Sequence, residues 1–378
     1  MLRGAEPEDY DVATSAPPPA VQKLFPRSEQ VGAKFGVIIV HVGGRPIEVA
    51  TFRRDLDYAD GRRPVAVEFT DAREDAIRRD FTVNGMFFDP IRSEVVDYVG
   101  GQTDLRAGII RAIGDPERRF SEDHLRLLRG VRLAAKLDFT IEPVTWAAMK
   151  EHAPEIARIS PERIREELDR MLSHSGRARA FGELRESGLL GYLWPTAKEI
   201  LASADRSHAM LEALPANARF EAALAAILHG THRAYVEEAC DSLRCSNDTK
   251  RDVAWLVAHE CDLDDPARVR LADLKLLMAN AAFPDLLALF GAKLRALGYP
   301  PTAFEEVSRR AEAVLPQDVA PPPLVTGNDL AAMGVGQGPI YKKILDRVYY
   351  AQLNGDIADA PAALQMARRL ADELGQQA

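Results

Sequence analysis

The texture of this chain changes once, near residue 120, and that change limits it to a mixed α/β head followed by helices. Before that point, short β-branched runs alternate with turn residues. Gly36 to Val42 and Pro46 to Phe52 are two such runs, joined by Gly43, Gly44 and Arg45 in the manner of a hairpin. Asp71 and Glu74 have capping-box spacing, which predicts a helix from Asp71 to Arg78. Glu94 to Gly101 and Gly108 to Gly114 read as further short strands. From Ser121 onward the pattern is helical. Leu125, Leu128, Val131 and Ala135 fall on one stripe, with Ser121 as the expected N-cap. Segments rich in Ala and Leu repeat that texture at Pro161 to Leu172, Arg179 to Leu189, Arg219 to Leu228, Thr249 to His259 and Leu271 to Met278, with no fixed repeat period. Ala320 to Pro323 reads as a stiff linker before a small terminal module. The expected fold class is α+β.

With 378 residues, 47% of them apolar and 28% charged, the chain is an ordinary globular protein of several domains. Its three cysteines are an odd number without tight pairing, which argues against a disulfide framework or a zinc site and for a reducing compartment. No apolar run approaches the ~18 residues of a membrane span, and the start lacks the basic-then-apolar order of a signal peptide. A soluble cytoplasmic protein is expected. The net charge of −9 disfavours a general polyanion-binding surface. Between Arg111 and Lys136, however, seven basic residues face four acidic ones, an island able to hold one polyanion locally.

Asp9 and Asp11 are two residues apart and would point to the same side of a strand. If residues 9–13 run beside Pro46 to Phe52, Glu48 joins them on one face. Three carboxylates so placed repel one another unless cations lie between them, and hard oxygen ligands suit Mg²⁺. Two such ions can activate a 3′-hydroxyl and stabilise a leaving pyrophosphate. A lone Asp-x-Asp is otherwise a solvated strand edge. Arg78 and Asp80, in RRDFTVN, also read as a local ion pair fixing a helix end. In EDHLRLLR, Asp123 and Arg126 are i, i+3 neighbours, and Arg129 continues their stripe. An intrahelical salt bridge is the plain reading. The alternative is recognition: a carboxylate accepts from the exocyclic amino group of cytosine or adenine while an arginine donates to the ring acceptors beside it.

Taken in this order, EDYDVAT, IEVATFR, DAIRRDFTVN and EDHLRLLR resemble the tRNA nucleotidyltransferase / poly(A) polymerase family, in the branch found in bacteria and eukaryotes. The resemblance implies a nucleotidyltransferase head (1–113), a helical neck that reads the base (114–180), a helical body (181–319) and a tRNA-binding tail (320–378). It makes Asp9, Asp11 and Glu48 the catalytic metal ligands for two Mg²⁺ ions. Arg78, Asp80 and Asn84 would shape the ribose and triphosphate site, and Asp123, Arg126, Arg129 and Arg132 would form the remaining nucleotide-binding surface. RRDLDYADGRR, with Arg53, Asp60, Arg62 and Arg63, would be the flexible loop that switches CCA-adding members from C to A, a solvated hairpin loop being its plain reading. Thr326, Gly327, Asn328, Gly338, Lys342 and Lys343 would contact tRNA. His229 is followed by Gly230 where some relatives carry a metal-binding His-Asp doublet, so no phosphohydrolase site is expected, and His229 and His232 read as packing or surface residues. The Arg-rich stretch of poly(A) polymerases is replaced by GAKFGVIIVHV, which favours tRNA. Family members also place a strand and a Gly-Gly-x-x-Arg-Asp loop before the Asp-x-Asp, so a head lacking its first element is expected. The implied activity is template-free addition of C, C and A to tRNA 3′ ends from CTP and ATP. The alternatives are a poly(A) polymerase or A-adding specialist, and an inactive RNA-binding remnant.

Overall fold

The computed structural model describes residues 2, 4, 10–32, 36–58, 64–194, 197–336 and 338–375. The chain forms two units, Met1–Ala202 with Glu238–Cys245, and Ser203–Glu237 with Ser246–Ala378.

The first unit opens on β1 (Val12–Thr14), α1 (Pro18–Leu24), β2 (Ser28–Gly32), β3 (Val37–Val42) and β4 (Arg45–Thr51), whose strands form one sheet in the order β1-β4-β3-β2. Strands β3 and β4 are antiparallel with Val42 opposite Arg45, so Gly43 and Gly44 alone make the turn. Both adopt positive φ (59° and 81°), which a tight hairpin turn demands and glycine allows without steric cost. One sheet face buries Ile38, Val40 and Val49 against Val21 of α1.

The segment read as a flexible loop is a two-stranded ribbon, β5 (Arg53–Tyr58) against β6 (Pro64–Phe69). Its polar composition hid the strand, because its covered face carries Arg53 and Asp55 and so shows no apolar alternation; on the exposed face Arg54 pairs with Glu68 at 2.6 Å. The tip, with Asp60, Arg62 and Arg63, lies outside the described residues.

Next come α2 (Ala72–Ile77), the ribbon β7 (Met86–Asp89) and β8 (Glu94–Asp97), α3 (Gly101–Ala107) and β9 (Ile109–Ile110). Asp71 caps α2 as expected, accepting from the Glu74 N–H at 3.0 Å. The strand expected over Gly108 to Gly114 shrinks to two residues, which pair with β10 (Thr140–Ile141). Helices α4 (Pro116–Glu122), α5 (Leu125–Leu137), α6 (Pro143–Glu151), α7 (Pro161–Leu172), α8 (Arg177–Glu186), α9 (Leu190–Leu193) and α10 (Ala197–Ala202) complete this stretch.

Ser121 does not cap the long helix. Asp115 and Pro116 start α4 earlier, and Ser121 lies inside it, donating to the Glu117 carbonyl at 2.7 Å. The chain turns extended at Asp123 (φ −148°, ψ 105°) before α5 begins. Leu125, Leu128, Val131 and Ala135 are buried together as the stripe required. Gly130 of α5 lets the helix press onto Phe81 of RRDFTVN, where a Cβ would sit 2.9 Å from the ring.

At the end of α6, His152 ties α4 to the following turn, through Glu117 at 2.7 Å and Glu155 at 3.0 Å. Burial opposes its charge, but the hydrogen bonds to Glu155 and Glu117 outweigh that and lift its pKa above the ordinary histidine value. A raised histidine pKa gives stability that is full below the unfolded pKa of about 6.5 and fades as pH rises through the folded value. His152→Gln is therefore expected to lower Tm more at about pH 6 than at about pH 8.5. Thermal melts at the two pH values decide it; equal losses would reduce the ring to a packing role.

The second unit is helical: α11 (Ala204–Ala213), α12 (Phe220–Ile227), the start of α13 (Arg233–Ser242), α14 (Asn247–His259), α15 (Leu271–Met278), α16 (Phe283–Ala296), α17 (Thr302–Glu312), α18 (Pro316–Val319), α19 (Gly327–Ala332), α20 (Pro339–Asn354) and α21 (Ala360–Gly375). His229 is buried against Glu260 at 2.6 Å, and His232 is exposed. The last three helices share a small core around Leu330, Ile344, Val348 and Ala367. The proline linker is strapped to α20, whose Tyr349 hydroxyl and Gln352 amide donate to the carbonyls of Pro321 and Pro322. Among the described residues no single helix is long and apolar enough to cross a membrane.

Candidate active site

Strand β1 runs parallel to β4 with Val12 opposite Val49. Carrying that register back one residue sets Asp11 beside Glu48. Val49 points into the core, so Glu48 and Asp11 take the opposite, open face, and both are exposed. Asp9 lies outside the described residues. Among the described residues no three His, Cys, Asp or Glu side chains gather as a metal cluster. Two hard carboxylates side by side on an open face are the donor chemistry that Mg²⁺ takes.

RRDFTVN follows directly on α2. Asp80 is 6% exposed, and its carboxylate accepts from Arg129 Nε of α5 at 2.6 Å, the Phe81 N–H at 2.8 Å and the Asn84 amide at 3.2 Å. Burial pushes the Asp80 carboxyl up, but the Arg129 guanidinium and these hydrogen bonds hold its pKa below the usual carboxylate range. The expected local Arg78–Asp80 pair is not what forms. Arg78 turns instead to Asp75 at 2.8 Å, because Asp75 lies one helical turn before it on α2.

The expected Asp123–Arg126 neighbour pair is not formed either. Asp123 sits at the break before α5, so helical spacing does not hold across it. Arg126 is buried, donating to Glu122 at 2.8 Å and to the carbonyls of Arg119 and Arg78 at 2.8 and 3.2 Å. Arg119 also binds Glu122 and the Arg78 carbonyl. Arg132 meets Glu167 of α7 at 2.6 Å, and Arg111 meets Asp104 at 3.1 Å. The basic island is thus largely a lattice of ion pairs inside the first unit, not an open polyanion patch: its own Glu122 serves Arg118, Arg119 and Arg126, and Asp104, Asp80 and Glu167 reach in from other segments.

Asp123 is gripped by Arg163 of α7, whose two terminal nitrogens reach its two oxygens at 3.3 and 2.9 Å. That fork orients the carboxylate while leaving it partly exposed. Nothing in the sequence around Arg163 marked it. Asp75 and Arg79 also escaped notice, although their i, i+4 spacing was a readable signal.

Arg53 is the first residue of β5, with its backbone N–H on Asp75 and its carbonyl on Arg78 Nε. In the tail, the backbone N–H and hydroxyl of Thr326 both donate to Asp329 at 2.7 Å, which starts α19 at Gly327 and Asn328. Gly338 precedes Pro339 at the start of α20, and Lys342 and Lys343 are exposed on its first turns.

Residues 1–111 match the Poly A polymerase head domain, and residues 138–201 match the probable RNA and SrmB- binding site of polymerase A. Along nearly its whole length the chain is 34% identical to a CCA-adding enzyme of Geobacillus stearothermophilus, covering 94% of this chain and 87% of that protein. The chain belongs to the CCA-adding enzyme family. A second CCA-adding enzyme, from Streptococcus mutans, is 32% identical over 96% of this chain and 89% of its own. The crystal structure of the Bacillus stearothermophilus CCA-adding enzyme in complex with CTP superposes with a TM-score of 0.82 at 28% identity, covering 99% of this chain and 92% of that one. The α+β architecture is therefore that of the CCA-adding enzymes.

Proposed function

We propose that this protein adds C, C and A to the 3′ end of tRNA, without a nucleic-acid template, from CTP and ATP. The observation that carries this reading is family membership along nearly the whole chain, at 34% identity with a CCA-adding enzyme. The local chemistry agrees with it. Asp9, Asp11 and Glu48 would hold Mg²⁺, which when bound activates the attacking 3′-hydroxyl and neutralises the departing pyrophosphate. Arg78 and Asn84 contact the ribose and triphosphate, and Asp80, locked to Arg129, fixes the turn between them.

Asp123, oriented by Arg163, accepts from the exocyclic amino group that cytosine and adenine share. Arg126 donates to the ring acceptors once its guanidinium leaves Glu122 and the carbonyls of Arg119 and Arg78, and Arg129 and Arg132 brace the helix behind it. Guanine and uracil would leave these groups unpaired, which is costly in a partly buried site. The β5–β6 tip, with Asp60, Arg62 and Arg63, serves the change from C to A. Thr326, Gly327, Asn328, Gly338, Lys342 and Lys343 grip the tRNA body through helix starts and two lysines.

The test is incorporation into tRNA lacking its terminal CCA. The expected product gains two cytidines and one adenosine and then stops, whereas continued extension with ATP would make it a poly(A) polymerase. Asp123→Ala is expected to narrow the preference for CTP over UTP by about 1.5–3 kcal/mol, the usual worth of a hydrogen bond to a charged group. Single-nucleotide incorporation with the four triphosphates measures it, and an unchanged CTP/UTP ratio would remove Asp123 from base selection.

A further inference from the structure

We propose that Asp75 is a positioning residue for the nucleotide site, a buried carboxylate that aims Arg78 and Arg79 and touches no substrate itself. The inference rests on the reading of Arg78 as a nucleotide contact. Asp75 lies in the last turn of α2 with its side chain 3% exposed. One oxygen takes Arg78 through Nε at 2.9 Å and a terminal nitrogen at 2.8 Å, plus the Arg53 N–H at 3.2 Å. The other oxygen takes Arg79 through Nε at 3.2 Å and a terminal nitrogen at 3.1 Å.

Each arginine has a second duty. Arg79 donates to the Asn84 carbonyl at 3.0 Å and lies over the Phe87 ring at 4.6 Å, which sets the turn carrying Asn84. Arg78 binds the Arg53 carbonyl, tying the base of the β5–β6 ribbon to α2. Its side chain remains 22% exposed, with Nε and one terminal nitrogen on Asp75 and the other terminal nitrogen 3.7 Å from Asp55. A single carboxylate holding two guanidinium forks side by side overcomes the repulsion between them. It also removes rotamer freedom that a triphosphate would otherwise have to freeze on binding.

The test compares Asp75→Asn, Arg78→Ala and the double variant. Binding of CTP with Mg²⁺ is followed by equilibrium dialysis, and incorporation gives KM and kcat. Asp75→Asn should raise Kd and KM for CTP and ATP about tenfold, the loss of one charged hydrogen-bonding geometry, with kcat and the KM for tRNA nearly unchanged. In the Arg78→Ala background the same change should add about threefold or less, since only the route through Arg79 and the Asn84 turn is left. Where Asp75→Asn fails to fold, Asp75→Glu keeps the charge, displaces the forks by one methylene, and should give the same split. Nucleotide binding left intact, a loss confined to kcat, or effects that multiply in the double variant would overturn the role. Wild-type protein that binds no CTP would sink the underlying reading of Arg78. Wild-type affinity kept by Arg78→Ala would sink that reading as well, whereas affinity lost in Arg78→Ala but kept in Asp75→Asn would sink the inference alone.

Discussion

Asp11→Ala should cut nucleotide incorporation about a thousandfold, equal to about 4 kcal/mol of lost transition-state stabilisation. Asp11 directly precedes β1, and extending the β1–β4 register by one residue brings it beside the exposed Glu48. Neither contributes to the core, which occupies the other face around Ile38 and Val49. The fold should therefore tolerate the change, and tRNA binding by filter assay should stay within about twofold of wild type. Mn²⁺ titration followed by electron paramagnetic resonance supplies a readout independent of turnover, in which the variant should lose bound metal. A variant that keeps more than about a tenth of wild-type incorporation would remove Asp11 from the metal site.

Asp80→Asn should cost about 2–3 kcal/mol of folding stability, among the largest losses expected from a single side chain in the first unit. The figure lies below that of a fully buried pair because the Arg129 side chain keeps 34% of its surface exposed, so water recovers part of the stranded charge. The sign with pH follows from the depressed Asp80 pKa. Its contribution is present above the unfolded value of about 3.9 and disappears as pH falls through the lower folded value. Urea denaturation should thus separate variant from wild type at neutral pH, with the gap closing under strong acid. A gap that persists unchanged there would mean the loss comes from packing and not from the ion pair. Arg129→Ala combined with Asp80→Asn should be far less than additive, since each removes the other's partner.

The local elements were legible because their causes are local. Asp71 with Glu74 specified the start of α2, Gly43–Gly44 specified the hairpin, and Pro339 specified the start of α20. The apolar stripe of α5 was equally plain, since a helical period survives any tertiary context that buries one face. The family motifs were visible as strings of residues. The partners of their charged side chains were not. Spacing suggested that Arg126 pairs with Asp123, but one extended residue at Asp123 ends the helical relation, and Arg126 falls to Glu122 instead. Asp123 then finds Arg163, and Arg129 finds Asp80, across 40 and 49 residues of chain.

A guanidinium pairs with whichever carboxylate the fold brings within about 3 Å, and sequence distance carries no information about that. The polar β5–β6 ribbon escaped for a related reason. Its covered face, with Arg53 and Asp55, is polar, so it has no apolar period, and only pairing with its partner strand makes it a strand. By itself, then, the sequence determined the family, the starts of α2 and α20, the hairpin turn and the residue types of the candidate site. Tertiary structure decided which charge meets which, because only the packed chain brings distant segments close enough for one carboxylate to choose its arginine.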